Sequence, residues 1–96
     1  MQEREYQKKL IKRLLELFPG CLVIKADPLY IQGVPDLLIL WKSKWAALEV
    51  KKSKDANIQP NQTYFVRIMN EMSFARFICP ETEEVVLNEL QQAFRI

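Results

Sequence analysis

Polar and apolar positions along the chain follow two periods in turn. From Glu3 to Phe18 the period is helical: Leu10, Leu14, Leu17 and Phe18 make one stripe, with Tyr6 and Ile11 on its flanks and Pro19-Gly20 as its stop. Cys21 to Lys25 reads as a short apolar strand closed by a turn at Ala26-Asp27-Pro28, after which Leu29 to Gly33 connects onward. Leu37 to Trp41 and Trp45 to Lys51 then form the two strands of a hairpin around the charged break Lys42 to Lys44. Pro60 suits the first turn of a helix running to Met72, with Phe65, Val66, Met69 and Met72 as its stripe. A strand from Ser73 to Ile78 follows, and Thr82 is placed to cap a closing helix that turns Val86, Leu87, Leu90, Ala93 and Phe94 inward. This order predicts a small α/β domain with a central mixed sheet of about four strands flanked by helices.

Certain residues break these patterns. Glu49 and Lys51 share a strand face with Trp45 and Ala47. A carboxylate and an ammonium therefore lie on a surface that otherwise reads as interior, where an unpaired charge is strongly unfavourable. Asp36 stands at the mouth of the preceding strand, directly after Gly33-Val34-Pro35. A hard divalent cation held by Asp36, Glu49 and a backbone oxygen such as that of Val50 removes the objection. The metal-free alternative is a buried Asp-Lys-Glu ion network, which is poorly stabilising unless its geometry is excellent.

A reversal centred between Ser43 and Lys44 makes facing residue numbers sum to 87, with Asp36 opposite Lys51, Leu38 opposite Glu49, and all three functional side chains on one face. The loop is then expected to hold an even number of residues, or the strand near Asp36 to carry a bulge. Both helical stripes also end in polar residues. Stepping back along the first meets Gln7 and then Glu3, with Glu5 on the opposite, solvated face; stepping back from Phe65 meets Gln62. A polar residue continuing a buried stripe normally has a partner, so Glu3 and Gln62 are expected to point into the site from two helices. A frayed chain end would instead leave Glu3 in solvent.

Composition narrows the chemistry. With 96 residues, 49% apolar and 27% charged, the chain has room for one domain with a modest core. No apolar run approaches a membrane span and the N-terminus is charged and amphipathic, so a cytoplasmic location is expected. Cys21 and Cys79 are too few and too far apart for a zinc knuckle or disulfide framework and read as buried free thiols. The chain has no histidine, which excludes Ser-His-Asp and Cys-His catalysis and histidine-rich zinc sites. With two glycines, Gly20 and Gly33, it has no phosphate-binding glycine loop. Hydrolysis, if any, must use carboxylates, lysine and a hard metal. The net charge of +2 is faintly basic, so a nucleic-acid binder would have to gather its lysines on one face.

Pro35-Asp36, followed by Glu49-Val50-Lys51 thirteen positions after the aspartate, resembles the signature of the PD-(D/E)XK nuclease superfamily. Gly33 before the motif, the hairpin between its halves, Gln59-Pro60-Asn61-Gln62 after it and Phe74 to Ile78 beyond extend the likeness over nearly the whole chain. They make it similar to a stand-alone viral-type VRR-NUC domain (virus-type replication-repair nuclease). The resemblance implies a restriction-endonuclease-like fold and a Mg²⁺- or Mn²⁺-dependent DNA endonuclease. Asp36, Glu49 and the Val50 carbonyl would be its metal ligands, and Lys51 would orient or deprotonate the attacking water or stabilise developing charge. In that family a glutamate of the first helix faces the metal, and spacing assigns this role to Glu3, which could hold a ligand water or a second ion. A glutamine after the motif lysine also points at the site, and Gln62 fits better than Gln59, which precedes the helix.

The surroundings of the motif are less specific. Lys52 and Lys54 offer phosphate contacts beside the carboxylates, although a solvated charge run is ordinary in such a loop. Tyr30 and Gln32 can reach a substrate backbone or stack on a base, and an exposed connector can equally carry them without such a role. Stand-alone domains of this type look like dimers that cut branched DNA such as four-way junctions. Trp41, Trp45, Phe77 and Met72 are candidates either for a homodimer contact or for burial within the monomer. Competing readings are a catalytically inert nucleic-acid-binding module and a restriction- or transposon-type nuclease on the same fold.

Overall fold

The computed structural model describes residues 1–95, in the order α1 (Glu3–Leu17), β1 (Leu22–Lys25), β2 (Leu37–Trp41), β3 (Lys44–Val50), α2 (Pro60–Met72), β4 (Ala75–Ile78), a 3-10 turn (Pro80–Thr82) and α3 (Glu83–Phe94). The strands form one mixed sheet in the order β1-β2-β3-β4. The first three pair antiparallel, β1 to β2 across an eleven-residue loop and β2 to β3 across a two-residue turn, whereas β4 lies parallel to β3. A parallel neighbour needs a crossover to return the chain, and α2 supplies it. The mixed α/β sheet predicted from the order of patterns is the one observed.

Alternation along β2 and β3 builds the core. Leu37, Ile39, Ala46, Leu48 and Val50 share one face and are buried against Tyr6, Leu10, Leu14 and Phe18 from the first helix and its cap, and against Val86, Leu87, Leu90 and Phe94 of α3. Each large side chain buried this way contributes about 1.5–3 kcal/mol relative to exposure. Polar contacts tie the two helices together: the Tyr6 hydroxyl donates to Glu83 Oε1 at 2.8 Å, and Arg13 pairs with both Glu83 and Glu84. Burial, together with the hydrogen bond to Glu83, pushes the Tyr6 phenol pKa up.

Several expectations change once neighbours are present. Tyr6 lies in the middle of the α1 stripe, not on its flank, because its hydroxyl has a partner on α3. The Thr82 hydroxyl accepts from the Cys79 N–H at 3.2 Å, so it closes the short 3-10 turn and makes no side-chain cap for α3. Ala93 is exposed, and so is Met72. Trp41 serves the monomer core: its ring packs on Phe18 and Phe94 with centroids 5.2 and 5.9 Å away, and its indole N–H donates to the Pro19 carbonyl at 2.9 Å. Trp45 and Phe77 are half-buried, and Cys21 and Cys79 are buried free thiols. No described helix is long and apolar enough to cross a membrane.

The hairpin turn sets the register. Leu37 faces Leu48 and Trp41 faces Lys44, so facing numbers sum to 85 and the loop is the two residues Lys42-Ser43. Lys44 thus belongs to β3, and continuing the register sets Asp36 opposite Glu49 rather than Lys51. The even loop preserves parity, so Asp36 and Glu49 still fall on one face. Lys42 takes a φ of 56°, a conformation that favours glycine at the first position of such a turn. Its ammonium sits 4.5 Å from the Trp41 ring centroid, an exposed contact that offsets part of the strain. Lys42→Gly is therefore expected to stabilise the fold by about 0.5–1 kcal/mol, read as a rise of a few degrees in Tm. An unchanged or lower Tm would show that the cation contact outweighs the strain.

Candidate active site

The alternation that turns Ala46, Leu48 and Val50 into the core turns Ala47, Glu49 and Lys51 to the opposite face, the one α2 packs on. Glu49 is 3% exposed and is the one charged side chain in the buried core of the described residues. Its Oε2 accepts from Gln62 Nε2 at 3.1 Å and lies 3.9 Å from Lys51 Nζ. Its Oε1 is buried with no hydrogen-bond partner. Burial, first of all, and then the negative charge of Asp36 push the Glu49 carboxyl up to about 8; Lys51 opposes the shift, while the charge of Glu3 adds to it. Two carboxylates facing each other at a buried point must share a proton or a cation.

Asp36 is held from two sides. Its backbone carbonyl accepts from the Ala26 N–H at 2.8 Å, and its Oδ2 accepts from the Val50 N–H at 2.9 Å. The Val50 side chain is in the core, so that residue offers the site its backbone alone. Ahead of Asp36, Gly33 has φ +91°, and a Cβ built there would lie 2.6–2.9 Å from Asn61 atoms, including its backbone carbonyl carbon. Only glycine allows the loop to seat this closely on the first turn of α2.

That contact places Gln62. As the third residue of α2, it forms a reciprocal capping box with Gln59: the Gln62 side chain accepts from the Gln59 N–H at 2.9 Å and the Gln59 side chain takes the Gln62 N–H. The same Gln62 Oε1 accepts from Lys51 Nζ at 2.9 Å. With its carbonyl meeting two donors, its amide NH₂ must face Glu49. Lys51 Nζ also donates to the Asn57 carbonyl at 2.9 Å, so the ammonium is held beside the carboxylates. Asp36, Glu49, Lys51 and Gln62 are thus brought together.

No family model, curated protein or solved structure matches the chain. Geometry and donor chemistry must carry the functional reading.

The remaining predicted site residues are spread more widely. Glu3 is exposed in the first turn of α1; its charge reaches Glu49, but no three His, Cys, Asp or Glu side chains among the described residues form a group that could hold a metal ion. Tyr30 and Gln32 are exposed on a loop shaped by Asp27, which accepts from the Leu29 N–H at 2.9 Å through its side chain and from the Tyr30 N–H at 3.1 Å through its backbone. Lys52 and Lys54 are exposed after β3. Sequence reasoning missed the Asn57 carbonyl, the Gln59 cap and the Gly33–Asn61 contact. Of these, the Gln59-x-x-Gln62 spacing ahead of an apolar stripe resembles a capping-box signal and could have been found.

A Mg²⁺ or Mn²⁺ ion fits this donor set. Such ions take oxygen ligands, keep several waters, and are held by one or two carboxylates rather than by a closed protein cage. Asp36 and Glu49 would provide the two carboxylates, and Glu49 Oε1 has no other partner.

Proposed function

We propose that the chain is a Mg²⁺- or Mn²⁺-dependent deoxyribonuclease of the VRR-NUC type that it resembles. The observation carrying this reading is the buried, unpartnered Glu49 Oε1, on a carboxylate that also feels the charge of Asp36. In a core otherwise free of charge, an ionised carboxylate of this kind destabilises the fold unless a proton or a cation neutralises it. Asp36, Glu49 and the Val50 carbonyl would hold the ion, which supplies positive charge at the phosphoryl oxygens and acidifies water. Lys51, restrained by Gln62 and Asn57, holds a proton donor and positive charge beside the reacting phosphate. Gln62 positions Lys51 and Glu49 at once, one with each end of its amide. On this reading Glu3, Lys52, Lys54, Tyr30 and Gln32, all exposed, would contact a second ion, phosphates or bases.

Single-stranded and branched DNA are expected to be cut in Mg²⁺ or Mn²⁺ and left whole in excess EDTA. Cutting that persists in EDTA would remove the metal from the mechanism. The reading extends to a homodimer acting on branched DNA, because a monomer with net charge +2 neutralises few phosphates. Two copies related by a two-fold axis would double the contact. Sedimentation at micromolar concentration and gel assays of a junction against its linear arms test that extension.

A further inference from the structure

Lys51 lines a second feature besides the carboxylate site: a cavity of about 380 Å³ between the loop after β3 and the start of α3. Ile58, Phe77, Val85 and Val86 give it apolar walls, and Lys54 and Glu81 stand among its polar residues. We propose that this cavity receives the base of an unpaired nucleotide adjoining the scissile phosphate, so that the substrate carries single-stranded or unstacked nucleotides at the cut. The inference rests on the nuclease reading above and names the substrate class of that site.

Position and chemistry select the occupant. Because Lys51 borders both the carboxylates and the cavity, a group seated there is a near neighbour of a phosphodiester held at Asp36 and Glu49. In a nucleic-acid strand that neighbour is a nucleoside. The cavity falls within the range of about 300–1,000 Å³ typical of small-molecule sites. An aromatic and aliphatic wall suits the face of any base, and stacking on an aromatic ring is tolerant of sequence. The Lys54 ammonium complements the adjoining phosphate charge. The Glu81 carboxylate, which takes only a long 3.4 Å hydrogen bond from the Lys54 backbone, can accept from an exocyclic amino group. A base inside an intact duplex cannot enter; extruding it costs a few kcal/mol, and least where it is already unpaired.

The test uses the whole chain and single strands carrying 2-aminopurine at successive positions. In EDTA, binding should raise the fluorescence of one position, as unstacking does. Val85→Trp and Ile58→Trp should each abolish the rise and weaken binding at least tenfold; both native side chains are exposed, at 63% and 44%, so the larger ring fills the cavity without entering the core. In Mg²⁺, an abasic residue at the responding position should raise KM at least tenfold for the parent chain. Unchanged fluorescence and affinity in both variants would overturn the proposal, as would equal cutting of abasic and normal strands. If the parent chain cuts nothing in either metal while the response and its loss in Val85→Trp persist, the cavity stands as a nucleobase site and the nuclease reading falls. Cutting of intact duplex at a rate insensitive to Val85→Trp sinks the cavity and leaves the nuclease.

Discussion

Glu49→Gln is expected to melt at a higher temperature than the parent chain at pH 7.5 in EDTA, and to cut DNA at least about a hundredfold more slowly in Mg²⁺. Both effects come from the same atoms. In the parent chain, burial and the facing Asp36 charge lift the Glu49 carboxyl from its ordinary value of 4.5 to about 8. The folded state therefore keeps a proton that the unfolded chain releases between those two values. Its contribution to stability is fully present below about pH 4.5, declines as pH rises, and is lost above about pH 8. A tenfold difference in proton affinity is worth about 1.4 kcal/mol, so the stability lost across this window is on the order of a few kcal/mol. A glutamine at position 49 can still accept from Gln62 and can donate its NH₂ to Asp36, permanently playing the part of the shared proton. A gain of only about 1 kcal/mol raises Tm by about 4–8 °C in a domain of this size. Calorimetry between pH 5 and 9 should show a falling Tm for the parent chain in EDTA and a flatter profile for the variant. A variant that melts lower at pH 7.5, with the same pH slope, would show that Glu49 is ionised and satisfied in the fold and that no cation is needed there.

Gly33→Ala should be far more damaging than Gly20→Ala, although both positions have similar backbone conformations, φ +91° and +87°. At Gly20 an added Cβ meets nothing within 4 Å, so the cost is backbone strain alone, about 1–2 kcal/mol. At Gly33 it would lie 2.6–2.9 Å from Asn61, including a main-chain atom that no rotamer change can move. Either the loop lifts from α2 or α2 shifts, and Gln62 moves with it. The expected cost exceeds that of Gly20→Ala by about 1–3 kcal/mol, with cutting reduced at least about tenfold because Lys51 and Glu49 lose their common partner. Equal Tm losses for the two variants would show that the Gly33 loop yields freely.

What the sequence revealed was governed by local periods. The limits of β2 follow from an apolar run bounded by Asp36 and the charged break at Lys42, α2 begins at Pro60, and Gln62 follows because it continues a stripe where an apolar residue is expected. Properties that depend on a second element were hidden. The burial of Tyr6 depends on Glu83, on a helix that α1 cannot foresee. Trp41 reads equally well as surface or core until Phe18 and Phe94 close on it. The turn centre was misplaced by one residue, and the facing partners therefore by two, because three polar residues, Lys42 to Lys44, read as loop; Lys44 pairs with Trp41 despite its charge. Parity survived because the loop remained even, which is why Asp36 and Glu49 were matched to the right face but to the wrong partners.

The sheet order also has a kinetic meaning. β2 and β3 are joined by a two-residue turn, so the pairing that sets Asp36 against Glu49 has low loop-closure entropy to overcome. The parallel strand β4 docks only after the chain has crossed through α2, and α1 meets α3 across some 70 residues, between Arg13 and Glu83. By contact-order reasoning the hairpin belongs to the fast, local part of assembly, and the parallel strand and the α1–α3 clasp to the slow part. The two carboxylates are thus juxtaposed across a two-residue turn, the Gln62 amide joins them from only 13 residues beyond Glu49, and the clasp between the first and last helices comes from the chain's most distant contacts.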